Sequence, residues 1–160
     1  MHLTTHSAEA TQALGRALAV ARGARVADGE ELAVVWLTGD LGAGKTTFVR
    51  GFLQGLGEAE PVRSPTFTLV DVHELEGVTV LHIDLYRLHD EAELESLGLR
   101  DWARPGYLWL IEWPERAAAR LPQPDLVLTF RAGVPAHEIE LRAATTLGNH
   151  WLSALERPPG

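Results

Sequence analysis

The run Gly39-Asp40-Leu41-Gly42-Ala43-Gly44-Lys45-Thr46 carries the plainest chemistry in this sequence. It matches G-x-x-x-x-G-K-[ST] in full, the spacing of a loop that grips phosphate. Gly39, Gly42 and Gly44 permit backbone angles and close approaches that a side chain forbids. Successive N–H groups can then turn inward on phosphate oxygens, helped by the positive end of a following helix. In that arrangement Lys45 reaches the β- and γ-phosphates, the Thr46 hydroxyl binds magnesium, and Thr47 stands next to the α-phosphate. From ordinary residue frequencies the pattern arises by chance in roughly one chain of this length in a hundred. ATP with Mg2+ is the ligand it implies.

Such a loop also needs an acid at the end of a neighbouring strand, to hold magnesium or its waters. Two positions compete. Asp84 follows Val80-Leu81-His82-Ile83, and Glu112 follows Leu108-Trp109-Leu110-Ile111; the residues alone do not rank them. Trp113, beside Glu112, offers a ring for stacking on a ligand or simply for packing. The stretch Ser64-Pro65-Thr66-Phe67-Thr68 reads either as a switch that senses the γ-phosphate or as a structural turn. Arg63, Arg87 and Arg116 are candidates to stabilise transferring phosphoryl charge. The seven histidines show no metal-ligand spacing on a helix and read as structural.

Positioning these groups requires strands that end where the chemistry begins. Leu32 to Leu37 is a short apolar run, the mark of a buried strand, and the glycine loop follows it directly. Thr46 to Leu56 continues as a helix, with Phe48, Val49, Phe52 and Leu53 on one stripe and Gly57 placed to stop it. Upstream, residues 7 to 22 read as a helix capped by Ser7, with Leu14, Ala17, Leu18 and Ala21 on its apolar face and Gly23 after its end. Thr66 to Val72 and Val78 to Ile83 predict two strands joined by a turn at Gly77, too close together for a parallel crossover and therefore antiparallel. Asp90 with Glu93 predicts a capping box for a short helix to Leu97. Tyr107 to Ile111 reads as a buried strand, Leu126 to Arg131 and Glu138 to Ala143 as a hairpin, and Leu147, Trp151 and Leu155 as the face of a last helix. The expected fold is α/β: a three-layer P-loop NTPase domain over residues 1–160, its mixed sheet having parallel core strands, antiparallel additions and helices on both faces.

Composition fits a globular chain, 46% hydrophobic and 22% charged. The absence of cysteine excludes disulfides, thiolate metal sites and a cysteine nucleophile. No signal-like segment opens the chain and no apolar run approaches a membrane span, so a cytoplasmic protein is expected. The net charge of −8 and the scattered basic residues argue against unaided nucleic-acid binding. Thirteen of the 14 basic residues are arginine, and Lys45 is the single lysine.

With the glycine loop, Ser64-Pro65-Thr66-Phe67-Thr68-Leu69-Val70, His82-Ile83-Asp84-Leu85-Tyr86-Arg87-Leu88 and Ile111-Glu112-Trp113-Pro114 in that order, the chain resembles the bacterial TsaE (YjeE) family. That family is the ATPase component of tRNA threonylcarbamoyladenosine synthesis. The resemblance is strongest from Trp36 to Pro114. It implies a weak ATPase stimulated by a TsaB–TsaD pair, with tRNA held by those partners. By the same resemblance, Thr46 and Glu112 are magnesium ligands and Asp84 supports the metal or the attacking water. The 64–70 and 82–88 segments are then switch-like, and Trp113 lies beside the nucleotide. One departure is His137, near which many members carry an arginine; a histidine there gives a weaker or pH-dependent contact.

Two other readings share the scaffold: a small-molecule kinase, and a non-catalytic switch ordered by ATP. The acidic region from Asp90 to Arg104 is short for a kinase lid, although Arg100 and Arg104 keep that reading open. A GTPase reading is poor, because N-K-x-D guanine recognition needs a second lysine.

Overall fold

A computed structural model describes residues 1–22, 31–65 and 68–157. In chain order the elements are β1 (His2–Thr5), α1 (Ala8–Ala21), β2 (Ala33–Gly39), α2 (Lys45–Gly55), β3 (Val70–Leu75) and β4 (Val78–Asp84). They continue with α3 (Glu93–Ser96), β5 (Tyr107–Glu112), β6 (Leu126–Arg131), β7 (His137–Ala143) and α4 (Thr146–Glu156). Short 3-10 turns at Leu99–Trp102, Pro114–Arg116 and Ala118–Arg120 complete the described secondary structure.

The seven strands form one sheet in the order β1-β7-β6-β2-β5-β4-β3. Strands β6, β2, β5 and β4 run parallel to one another. The additions at both ends, β7 and β1 on one side and β3 on the other, are antiparallel. Core strands buried on both faces explain the unbroken apolar runs of β2 and β5, which alternation would not have produced. On one face Val35, Leu37, Leu110 and Leu128 pack under Leu18 of α1, Phe48 and Phe52 of α2 and Trp151 of α4. On the other, Val34, Ile83, Trp109 and Ile111 pack with Leu94, Leu99 and Leu121 from α3 and the 3-10 turns. The three-layer α/β reading stands, with the long helices gathered on one face.

Four local expectations change. Leu18 is buried and Leu14 and Ala21 pack against the core as expected, but Ala17 is exposed, and α1 also buries Thr11, Gly15 and Ala19. The cause is a close helix crossing: a Cβ on Gly15 would stand 2.3 Å from Phe48 O, and one on Gly51 would stand 2.1 Å from Gln12 O. Strand β3 begins at Val70, not at Thr66. Leu69 sits at φ 59°, a left-handed conformation that interrupts extended backbone immediately before Val70. Residues 66 and 67 lie outside the described residues, as does Gly23. Asp90 and Glu93 form half of the expected capping box: Asp90 N–H donates to Glu93 Oε1 at 3.1 Å, but Asp90 Oδ1 accepts from Ala92 N–H at 2.9 Å, an Asx turn. Finally, β1 is a four-residue edge strand that the polar opening of the chain did not suggest.

Among the described residues, no helix is long and apolar enough to cross a membrane.

Candidate functional site

Strand β2 delivers the glycine loop, and the loop's geometry shows why glycine is needed. Gly39 has φ 121°, and a Cβ there would stand 1.9 Å from Phe130 O of β6. Asp40 fastens the turn to the same strand end: its N–H donates to Phe130 O at 3.1 Å, and its Oδ2 accepts from Ala132 N–H at 3.1 Å. Gly44 is the N-cap of α2 at φ 105°, where the nearest atom to a Cβ would be Thr11 Cγ2 at an ordinary 3.4 Å. Conformation, not space, demands glycine at that position. The opening N–H groups of α2 lack intrahelical acceptors, as at any helix start, and their positive end suits an anion. Leu41, Gly42, Gly44, Thr46 and Thr47 line the resulting cleft, of about 320 Å³.

Lys45 is 5% exposed and lies folded across the loop. Its ammonium donates to Gly39 O at 2.8 Å and Asp40 O at 2.6 Å, and stands 4.3 Å from the centre of the Trp113 ring. Burial lowers its pKa, opposed in turn by the charges of Glu112, Glu115, Asp40 and Asp84. Trp113 holds its ring there from a left-handed backbone, φ 59°, with its N–H donating to Leu37 O across the sheet at 3.2 Å. Tyr86 packs against the Trp113 ring, 5.0 Å between ring centres, and the Arg116 guanidinium lies 5.6 Å from the Tyr86 ring.

The two candidate acids come together because β4 and β5 are parallel and in register, Asp84 against Glu112. Glu112 is 2% exposed and both its oxygens are engaged. Oε1 accepts from the Thr46 hydroxyl at 2.8 Å, which also shares a hydrogen bond with Ser64 Oγ at 2.8 Å. Oε2 meets His82 Nε2 at 2.6 Å. Asp84 is only partly buried, and its Oδ1 accepts from Tyr86 N–H at 3.0 Å. Burial first, and the charge of Glu112 second, raise its pKa.

The structure thus brings Lys45, Thr46, Thr47, Asp84, Glu112, Trp113 and Ser64 around one cleft. Arg63 and Arg87 are exposed and do not line it, and Arg116 reaches it only through Tyr86. His137 borders a neighbouring hollow of about 270 Å³ behind Gly42, Gly44 and Thr47, and its Nδ1 accepts from Gly133 N–H at 3.2 Å. Arg50 is a cleft residue the sequence did not single out; its Nε donates to Val62 O at 2.8 Å. His82 was also missed. Its signal was a polar ring inside an apolar strand run, which must find a partner when buried.

A family model, Threonylcarbamoyl adenosine biosynthesis protein TsaE, matches residues 5–139. The tRNA threonylcarbamoyladenosine biosynthesis protein TsaE of Haemophilus influenzae is 46% identical over 125 residues, 78% of this chain and 79% of that protein. The protein of the same name from Bacillus subtilis is 40% identical over 119 residues, 74% of this chain and 72% of that one. Among solved structures, Bacillus subtilis YdiB superposes with a TM-score of 0.77 at 29% identity, covering 97% of this chain and 93% of that one.

Proposed function

Because this chain belongs to the TsaE family of threonylcarbamoyl adenosine biosynthesis proteins, we propose that it is a weak, magnesium-dependent ATPase acting with TsaB and TsaD in tRNA threonylcarbamoyladenosine formation. The observation that carries this reading is the Thr46 hydroxyl, held between Ser64 Oγ and Glu112 Oε1 at the first turn of the loop's helix. A hydroxyl and a carboxylate oxygen facing a phosphate-sized cleft are the hard donors magnesium selects. Thr46 and Glu112 would hold the ion, with Asp84 beside them. When bound, magnesium draws charge from the β- and γ-phosphate oxygens.

The chain's own groups account for the remainder. The loop N–H groups and the end of α2 bind the phosphates. Lys45 exchanges its two carbonyl acceptors for phosphate oxygens, and Trp113 keeps its ammonium over the cleft. Asp84, the less enclosed acid with the raised pKa, would orient an attacking water and accept its proton. The charge of −8 suits a chain whose tRNA is held by partners.

The test is phosphate release from ATP and magnesium, with and without TsaB and TsaD. Release without any acceptor, stimulated by the pair, is expected; no stimulation would sink the partner assignment, and ADP formed only with a small-molecule acceptor, with the phosphate on that acceptor and none released, would favour a kinase. Lys45→Ala should abolish release, about a hundredfold or more, while circular dichroism stays unchanged.

A further inference from the structure

A second cluster lies on the strands behind the cleft, and its chemistry differs. Asp71 and His73 of β3 and His82 of β4 fall on one side of the sheet, since Asp71 pairs with His82 and His73 with Val80. An oxygen of Asp71 and one ring nitrogen from each histidine lie within 4.8 Å of one another.

Each histidine has one nitrogen tied to a carboxylate. His73 Nδ1 meets Glu58 Oε2 at 2.6 Å, and His82 Nε2 meets Glu112 Oε2 at 2.6 Å. The remaining nitrogens, His73 Nε2 and His82 Nδ1, are buried and have no hydrogen-bond partner among the described residues. His82 is 0% exposed, so its orphaned nitrogen carries the full cost of desolvation. A carboxylate behind an imidazole is what fixes a metal-binding histidine's tautomer and raises its basicity. Here the arrangement occurs twice, with a carboxylate completing the set.

We propose that Asp71, His73 and His82 bind a divalent cation of the zinc type. Two imidazole nitrogens and one carboxylate oxygen favour a borderline ion over magnesium, which prefers oxygen throughout. Tetrahedral zinc places its ligands about 3.3 Å apart, so modest side-chain rotations close the set and leave a fourth position for water. The ion would clamp the edge strand β3 to β4. It would also hold the proton of His82 on Nε2, as donor to Glu112, and so connect this site to the cleft.

The test uses the full, nucleotide-free chain with Zn2+ in calorimetry and Co2+ in absorption spectroscopy. One equivalent should bind, and Co2+ should show the intense visible bands of tetrahedral coordination. His73→Gln, on the edge strand, should weaken binding tenfold or more; if circular dichroism shows it misfolded, Asp71→Asn is the deciding variant, with the same loss expected. Thr46→Ala should leave Zn2+ affinity unchanged, because the ion does not sit with the phosphates. Parent-like binding in the deciding variant, a pale octahedral Co2+ spectrum, no binding by the parent, or loss of Zn2+ in Thr46→Ala would each overturn the proposal.

Discussion

Asp84 and Glu112 end neighbouring parallel strands opposite one another, yet they live in different surroundings. Glu112 is enclosed, with a hydroxyl on one oxygen and an imidazole on the other. Asp84 is partly open, takes one backbone N–H, and has its pKa raised by burial and by its neighbour's charge. Two like acids this close cannot serve one purpose equally well. In the proposed mechanism the fully bonded one would be the fixed ligand, and the less constrained one would exchange a proton or a water.

The sharpest attack on that division is Glu112→Gln. Phosphate release should fall about 10²–10³-fold, while ATP binding measured without magnesium changes little. An equal loss of both would transfer the metal role to Asp84. Next comes Asp84→Asn, with an expected tenfold to hundredfold loss of turnover at saturating magnesium. The parent's rate should also drop as pH falls through the raised pKa of Asp84, at a midpoint above the ordinary aspartate range, because the carboxylate is the working form. That acid limb should vanish from the pH profile of Asp84→Asn. A limb that persists assigns it to another group.

His82→Gln tests how Glu112 is held. As a positioning residue, His82 should set the magnesium dependence, and its loss should raise half-saturation about tenfold without moving magnesium-free ATP affinity. A uniform fall in both would indicate a packing role only. The smallest effect is on stability. The raised pKa means that the folded chain binds the Asp84 proton more tightly than the unfolded one, so ionised Asp84 costs stability above the ordinary aspartate pKa. Asp84→Asn should therefore raise Tm at neutral pH and leave it unchanged at a pH below that range. A gain that is the same at both pH values would place its cause elsewhere.

The glycine loop was legible because everything it needs is contiguous: a buried strand, three glycines with positive φ, then Lys45 and a helix. The helix stripe of Phe48, Val49, Phe52 and Leu53, all fully buried, was readable for the same reason. Glu112 and Asp84 were both named as candidates, but telling their surroundings apart required side-chain contacts 30 and 66 positions apart along the chain. His82 was read as merely structural because metal-ligand spacing was sought along one helix, whereas its neighbours Asp71 and Glu112 come from two other strands. Strand β3 was misplaced because side-chain propensity says nothing of the turn at Leu69. Gly15 was missed on the buried face of α1 because it carries no hydrophobicity, although its bareness is what lets two helices touch.

Lys45 is the only lysine, and its ammonium is sheltered by two carbonyl oxygens and an indole face. An amine-directed reagent therefore meets one ε-amine and the α-amino group, whose own N–H donates to Leu141 O at 3.0 Å. Reductive methylation with isotope-labelled formaldehyde would install a pair of spectroscopic reporters, one inside the loop and one on the far sheet edge, in a chain that otherwise offers arginine as its cationic side chain. The first signal would follow occupancy of the cleft directly, with the second as an internal reference.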